Sequence, residues 1–185
     1  MITAELVQTM IRKRKREIHK GDCGRILLAA GSEGMMGAAV LTCRAALRSG
    51  AGLVQLAVPK NLFPVAQTAV PEATCRMRSF HKEDLAAYDA AAAGPGLGTG
   101  QDSIEAVRNI LEFYQGRLVL DADALNILAM PGTGCMSLLR NRSERDLLSA
   151  QPSPRAAARA TMCTPAQSPQ SAASAPANKP CAGFG

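Results

Sequence analysis

The chain has 185 residues, 47% of them hydrophobic, with a mean hydropathy of +0.01 and a net charge of +6. That length supports one domain with a sizeable core, and no window reaches the ~18 consecutive apolar residues of a membrane span. The N-terminus mixes acid and base before any apolar run, which does not read as a signal peptide, so the expected location is the cytoplasm.

Residues 3–17 predict a short helix with Thr3 as N-cap and Glu5 in its first turn. Its end carries the unbroken run Arg12-Lys13-Arg14-Lys15-Arg16. Without interleaved aromatics or a recognition motif, this run reads as a solvated helix end and not as a nucleic-acid surface. His19 to Gly24 is a glycine-bounded loop. Arg25 to Ala30 has the length and apolarity of a central strand between Gly24 and Gly31. Gly37 to Arg48 has helical spacing through Ala38, Leu41 and Ala45 and stops at Gly50. Gly52 to Pro59 is the next strand and Asn61 to Ala69 a short helix. Tyr88 to Ala93 predicts a strand and Ser103 to Tyr114 a helix. Leu118 to Leu120 is a further strand, followed by a helix over Asp123 to Ala129. The alternation predicts an α/β fold with a parallel sheet covered on both faces.

After Ala129 the composition changes. No Val or Ile follows Ile127, and the last 34 residues hold six of the eleven prolines. Such a segment buries too little apolar surface to offset its ordering entropy. The expected organisation is a structured unit over 1–140 and a disordered Ala/Pro/Ser-rich tail over 141–185. The six cysteines, at 23, 43, 75, 135, 163 and 181, form no CxxC pair and have no histidine at metal-ligand spacing. Free thiols are expected, with Cys43 on a buried helix face.

Three strand ends carry the candidate chemistry. Gly31-Ser32-Glu33-Gly34-Met35-Met36-Gly37-Ala38-Ala39 follows a strand and opens a helix, so early helical N–H groups face the strand end and small residues admit close approach. A plain strand–helix turn accounts for the same glycines. Gly94-Pro95-Gly96-Leu97-Gly98 places three glycines around a proline, more than a simple turn requires. Asp121 and Asp123 flank Ala122 at a strand end, and Asn126 lies one turn further. Acid and amide there suit a ribose, a water or a Mg²⁺ shell; Asp123 equally suits a helix N-cap. Lys20-Gly21-Asp22-Cys23-Gly24 lacks phosphate-loop spacing and precedes its strand. His19 and His81 have no partnered nucleophile, so a hydrolase triad is not supported.

In this order, HKGDCG (19–24), RILLAAGSEGMMGAAVLTCRAALRSGAGLVQLAVP (25–59), AAAAGPGLGTG (90–100) and LVLDADALNIL (118–128) resemble the ADP/ATP-dependent NAD(P)H-hydrate dehydratase family. The likeness runs over roughly residues 17–130. It implies a ribokinase-like three-layer α/β/α fold, truncated after the Asp121–Asn126 element. The family removes water from hydrated NADH and NADPH using ADP or ATP with Mg²⁺. The resemblance implies that Ala38 and Gly96 line the hydrated-nicotinamide site, with Asp121, Asp123 and Asn126 at the same cleft. It further implies a homo-oligomer acting on a small molecule; the sequence itself carries no nucleic-acid motif or membrane span, so neither partner is expected.

The family's TPHPGE segment, its KG-bearing strand and its GGxGD segment, whose Asp is expected to act in the chemistry, have no copy after Asn126. Gln151-Pro152-Ser153-Pro154 aligns with the first of these, with Ser153 in the place of the histidine. No catalytic residue or nucleotide-binding residue is therefore assigned. The chain reads as the first half of a dehydratase with a tail outside the family pattern, expected to be marginally stable and without dehydratase activity. Two other readings stand beside it. One is a kinase of the same fold acting on a vitamin precursor or sugar. The other is a non-catalytic fragment that binds nucleotide or intact subunits.

Overall fold

The computed structural model describes residues 19–140, the single positions Thr3, Glu5, Leu6, Gln8 and Glu17, and the backbone of Leu147–Ser149. The basic run at 12–16, most of the helix expected over 3–17, and the tail after 149 lie outside the described residues. Within the first helix Glu5, Leu6 and Gln8 are helical, and Leu6 N–H donates to Thr3 Oγ1 at 3.3 Å, the contact expected of an N-cap.

The described elements are β1 (Arg25–Ala29), α1 (Met36–Arg48), β2 (Leu53–Ala57), α2 (Phe63–Ala69), β3 (Thr74–Arg76), α3 (Lys82–Leu85), β4 (Ala90–Ala93), α4 (Gln101–Phe113), β5 (Arg117–Leu120), α5 (Ala122–Ala129), α6 (Cys135–Arg140) and β6 (Leu147–Ser149). Single 3₁₀ turns precede β1 at Lys20–Cys23 and α2 at Lys60–Leu62. All six strands are parallel, in the order β3-β2-β1-β4-β5-β6. β1 is central: Leu28 lies opposite Leu56 of β2 on one side and Ala92 of β4 on the other.

Side chains alternate across a strand, and β1 uses both faces. Leu27 and Ala29 pack with Val107, Ile110 and Leu111 of α4 and Ile127 and Leu128 of α5. Leu28 and Ala30 pack with Met36, Ala39 and Cys43 of α1 and Ala66 of α2. The expected parallel sheet is thus present, with one helical layer on each face. The α1–α2 layer covers β1 to β3, while on β5 Val119 stays 37% exposed.

Two elements escaped the hydrophobic pattern. β3 is Thr-Cys-Arg, an outer strand with no apolar run, and it forms because β2 offers it a ladder from Gln55 to Ala57. The four-residue α3 is held by an N-terminal exchange between His81 and Asp84, His81 N–H donating to Asp84 Oδ2 at 3.1 Å. Beyond Ala129, α6 packs on α4 and α5. β6 extends the sheet past the boundary expected at residue 140, pairing Leu147 with Leu118 and Ser149 with Leu120. The His19–Gly24 loop feeds β1 as expected, with Gly52 N–H donating to Cys23 O and Gly24 O at 3.2 and 3.1 Å.

Cys23, Cys43, Cys75 and Cys135 are free thiols. Burial, with a smaller contribution from neighbouring Cys75, pushes the Cys43 thiol up from 9.0 to about 11. Its folded value exceeds its unfolded one, so the native state keeps the proton longer. This stabilisation is complete below pH ~9 and is lost as pH rises through the folded pKa, on the order of 2–3 kcal/mol across that window. Cys43→Ala is expected to flatten this alkaline loss in urea melts between pH 8 and 11, and native Cys43 is expected to resist alkylation at pH ~8. Rapid alkylation of native Cys43, mapped by mass spectrometry, would contradict its burial.

Candidate functional site

The strand order reverses between β1 and β4. Their following helices, α1 and α4, pack on opposite faces of the sheet, so the two connecting loops diverge at the carboxyl edge. In open α/β sheets this is where ligands bind. Here the loops are tied to each other. Gly31 N–H donates to Pro95 O at 2.9 Å, and Ser32 Oγ donates to Gly96 O at 2.9 Å.

Gly94 to Leu97 form a tight turn closed by Leu97 N–H to Gly94 O at 2.9 Å. Proline at its second position and glycine with φ +60° at its third are the type II pattern. Gly96 also needs its missing side chain for space. A Cβ there would lie 2.8 Å from Met35 O and 2.9 Å from Ala38 Cβ. Ala38 and Gly96, predicted to share a site, therefore meet across the two loops. Most of the loop's polar backbone is committed: Gly94 N–H to Ala29 O at 3.0 Å, and Gly98 N–H to Asp123 Oδ2 at 2.8 Å. Pro95 has no N–H. Gly96 carries the one N–H of Gly94–Gly98 without an acceptor among the described residues.

The acidic strand end divides its labour differently from expectation. Asp121 is the N-cap of α5, accepting Ala122 N–H at Oδ1 at 2.7 Å. Asp123, the expected cap, instead reaches across to the glycine loop. Its Oδ2 accepts Gly98 N–H at 2.8 Å and its Oδ1 accepts Asn126 Nδ2–H at 3.1 Å. The physical reason is the backbone. Asp121 is extended (φ −143°, ψ 165°), as a cap must be, whereas Asp123 is already in the first helical turn. Ala122 between them sits at φ +44°, a left-handed conformation costly for a residue with a Cβ. Gly94 accommodates this bend, since a Cβ on it would lie 1.7 Å from Asp121 O. Contacts thus draw the five predicted site residues to one stretch of the carboxyl edge: Ala38 on Gly96, Asp121 against Gly94, and Asp123 to Gly98 and Asn126. Asp121 and Asp123 shape it, and only Asp121 keeps a carboxylate oxygen, Oδ2, without a partner among the described residues.

At the start of α1, Met36 and Gly37 occupy the positions whose N–H groups have no intrahelical acceptor. The Ala38 N–H, expected to be open, is taken by Met35 O at 3.2 Å.

Two arginines follow from β3, and sequence reasoning missed both. Arg76 stacks over Phe80 at 5.1 Å and bonds to Ser79 O, Tyr88 Oη and Asp84. The Tyr88 hydroxyl in turn donates to Gln55 Oε1. His81 N–H and Arg76 hold the Asp84 carboxyl below the usual carboxylate range. This network braces the β3–β4 connection. Arg78 is buried and donates through Nη1 to Leu97 O at 3.3 Å, Asp102 Oδ2 at 3.1 Å and Ser103 Oγ at 3.2 Å. Neither arginine had a flanking motif to mark it.

The fold is that of a doubly wound α/β protein whose strand order reverses between β1 and β4. Comparison narrows the class. Residues 26–145 match the family model for NAD(P)H-hydrate dehydratase, and the chain belongs to that family. It is 38% identical over 125 residues to the bifunctional NAD(P)H-hydrate repair enzyme Nnr of Methanopyrus kandleri, covering 65% of this chain and 25% of that one. It is 37% identical over 135 residues to the ADP-dependent (S)-NAD(P)H-hydrate dehydratase of Lactiplantibacillus plantarum, covering 69% and 48%. Among solved structures, the ADP/ATP-dependent NAD(P)H-hydrate dehydratase of Bacillus subtilis, co-crystallised with ATP and Mg²⁺, aligns with TM-score 0.59 at 36% identity, covering 66% and 46%. A ribokinase-like superfamily protein of Enterococcus faecalis shares the fold at TM-score 0.60 and 23% identity, covering 64% and 44%. The chain spans a quarter to a half of the length of the curated relatives it matches.

Gly94→Ala places a Cβ against Asp121 O at a φ of +132°. It is expected to destabilise the chain by about 3 kcal/mol or more, lowering Tm by roughly 10 °C. Gly34→Ala, at φ +78° with nothing within 4 Å, is expected to cost only the ~1 kcal/mol of the left-handed backbone. Equal Tm values for the two variants would contradict the contact between these strand ends.

Proposed function

We propose that this chain supplies the hydrated-nicotinamide side of an ADP- or ATP-dependent NAD(P)H-hydrate dehydratase site, serving nicotinamide-nucleotide repair. The observation that carries the reading is the Gly96 N–H. It is the open donor of an otherwise committed loop, and it lies beside Ala38 at the point where the strand order reverses. A carboxamide or hydroxyl of a hydrated dihydronicotinamide ring is a suitable acceptor for it. The names of the relatives supply the substrate, since each is a hydrate dehydratase or repair enzyme.

Removing water from such a hydrate breaks a ring C–O bond and takes a proton from the neighbouring carbon. The described residues position the ring and polarise it. Asp123 has both oxygens committed and Asp121 caps a helix, so neither is assigned the proton transfer. The nucleotide is a different matter. Among the described residues, no three His, Cys, Asp or Glu side chains gather as a cation site. No step through ADP, ATP or Mg²⁺ is derived from them. On this reading nucleotide and Mg²⁺ belong to family segments that have no copy in this sequence, and the substrate is a small molecule.

The test is equilibrium dialysis of the 185-residue chain against hydrated NADPH, with NADPH as the control. Ala38→Val places two methyl carbons toward Gly96. It is expected to weaken hydrate binding by about 10-fold or more while shifting Tm by no more than about 2 °C. The dihydronicotinamide absorbance is expected not to recover when ADP or ATP is added, because loss of the proton-transfer group alone costs ~10²–10⁴-fold in rate. A folded chain that binds no hydrate would refute the reading.

A further inference from the structure

We propose that Arg78 and Ser103 are positioning residues of the ligand loop: they clamp the carbonyl of the Leu97–Gly98 peptide and so hold Gly96 in the geometry its ligand meets. The proposal rests on the hydrate-binding reading above.

A trans peptide points its C=O and its N–H to opposite sides. The Leu97–Gly98 peptide is held on both. Its carbonyl accepts from Ser103 Oγ at 2.8 Å and from Arg78 Nη1 at 3.3 Å. Its N–H donates to Asp123 Oδ2 at 2.8 Å. The clamp therefore ties three elements to one peptide: the segment after β3, the first turn of α4, and α5. Pro95 O and the Gly96 N–H are the two sides of one peptide, which Gly31 N–H holds at the entry of the turn; with the Leu97–Gly98 peptide fixed at its exit, the turn that carries the Gly96 N–H is held at both ends.

Packing alone does not explain an arginine here. The Arg78 side chain is 5% exposed, whereas its one carboxylate partner, Asp102, is 62% exposed. Arg78 Nε and Nη2 are buried without an acceptor among the described residues. Burial lowers its pKa, opposed by Asp102. A buried, half-satisfied cation is a costly way to fill space, and an apolar side chain of similar volume fills it at no such cost. What an apolar residue cannot do is direct an N–H onto Leu97 O.

Hydrogen exchange and hydrate binding, measured on the 185-residue chain, test this together. Arg78→Met and Ser103→Ala are each expected to speed amide exchange over residues 94–103 by about 10-fold, with β1 unchanged within about 2-fold. Both are expected to weaken hydrated-NADPH binding by about 10-fold, with Arg78→Lys recovering part of the loss because it restores one donor. If Arg78→Met does not fold, Ser103→Ala decides, since it removes a donor without changing volume appreciably. Unchanged exchange over 94–103 in Ser103→Ala would overturn the clamp. Faster exchange with hydrate affinity intact would overturn the positioning role. A wild-type chain that binds no hydrate would instead refute the functional reading, and the exchange result would still decide whether the clamp exists.

Discussion

The hydrogen bond from Gly31 N–H to Pro95 O joins two loops that the topology drives apart. β1 and β4 are neighbours, but the chain leaves them toward opposite faces of the sheet, which opens a crevice at their carboxyl ends. Without a tie across it, each loop would be an independent surface connection. With the tie, Ser32 reaches Gly96 O, Ala38 packs against Gly96, and the two loops become one wall. The glycine loop is then passed from β4 to α5 by Asp123 and to the segment after β3 by Arg78.

What holds this edge in place is the sheet beneath it. β4 is four alanines, and Ala91 and Ala93 are buried against α4 and α5. Short side chains let those helices approach the strand closely, so their N-termini arrive next to the loops. The large apolar residues that supply most of the burial, Leu27, Leu28, Leu56, Ile110, Leu118 and Ile127, sit below the edge. Stability and recognition are therefore separated along the strand direction: apolar packing in the body, directed polar contacts at the carboxyl ends.

The parts of this arrangement legible in the sequence were those with a period or a punctuation mark. Arg25–Ala29 and α4 announce themselves by apolar runs and helical spacing between glycines. Ala38 and Gly96 were legible as small residues following strands. β3 was not, because Thr-Cys-Arg acquires its strand character only from the ladder β2 offers. The roles of Asp121 and Asp123 were also exchanged. Both residues suit a cap, and the choice depends on the backbone bend at Ala122, which Gly94 of another strand accommodates.

Local chemistry in the sequence thus determined the alternation of strands and helices, the positions of the glycine turns, and the family those turns belong to. These depend on neighbours a few residues apart, which a single chain displays. Tertiary structure decided which strand end faces which, and with it the partners of the loop. The Arg78–Leu97, Ser32–Gly96 and Gly98–Asp123 contacts span 19, 64 and 25 residues. Directed hydrogen bonds over such separations leave no periodic trace in the sequence, because they exist only once the sheet order has brought those residues to one edge.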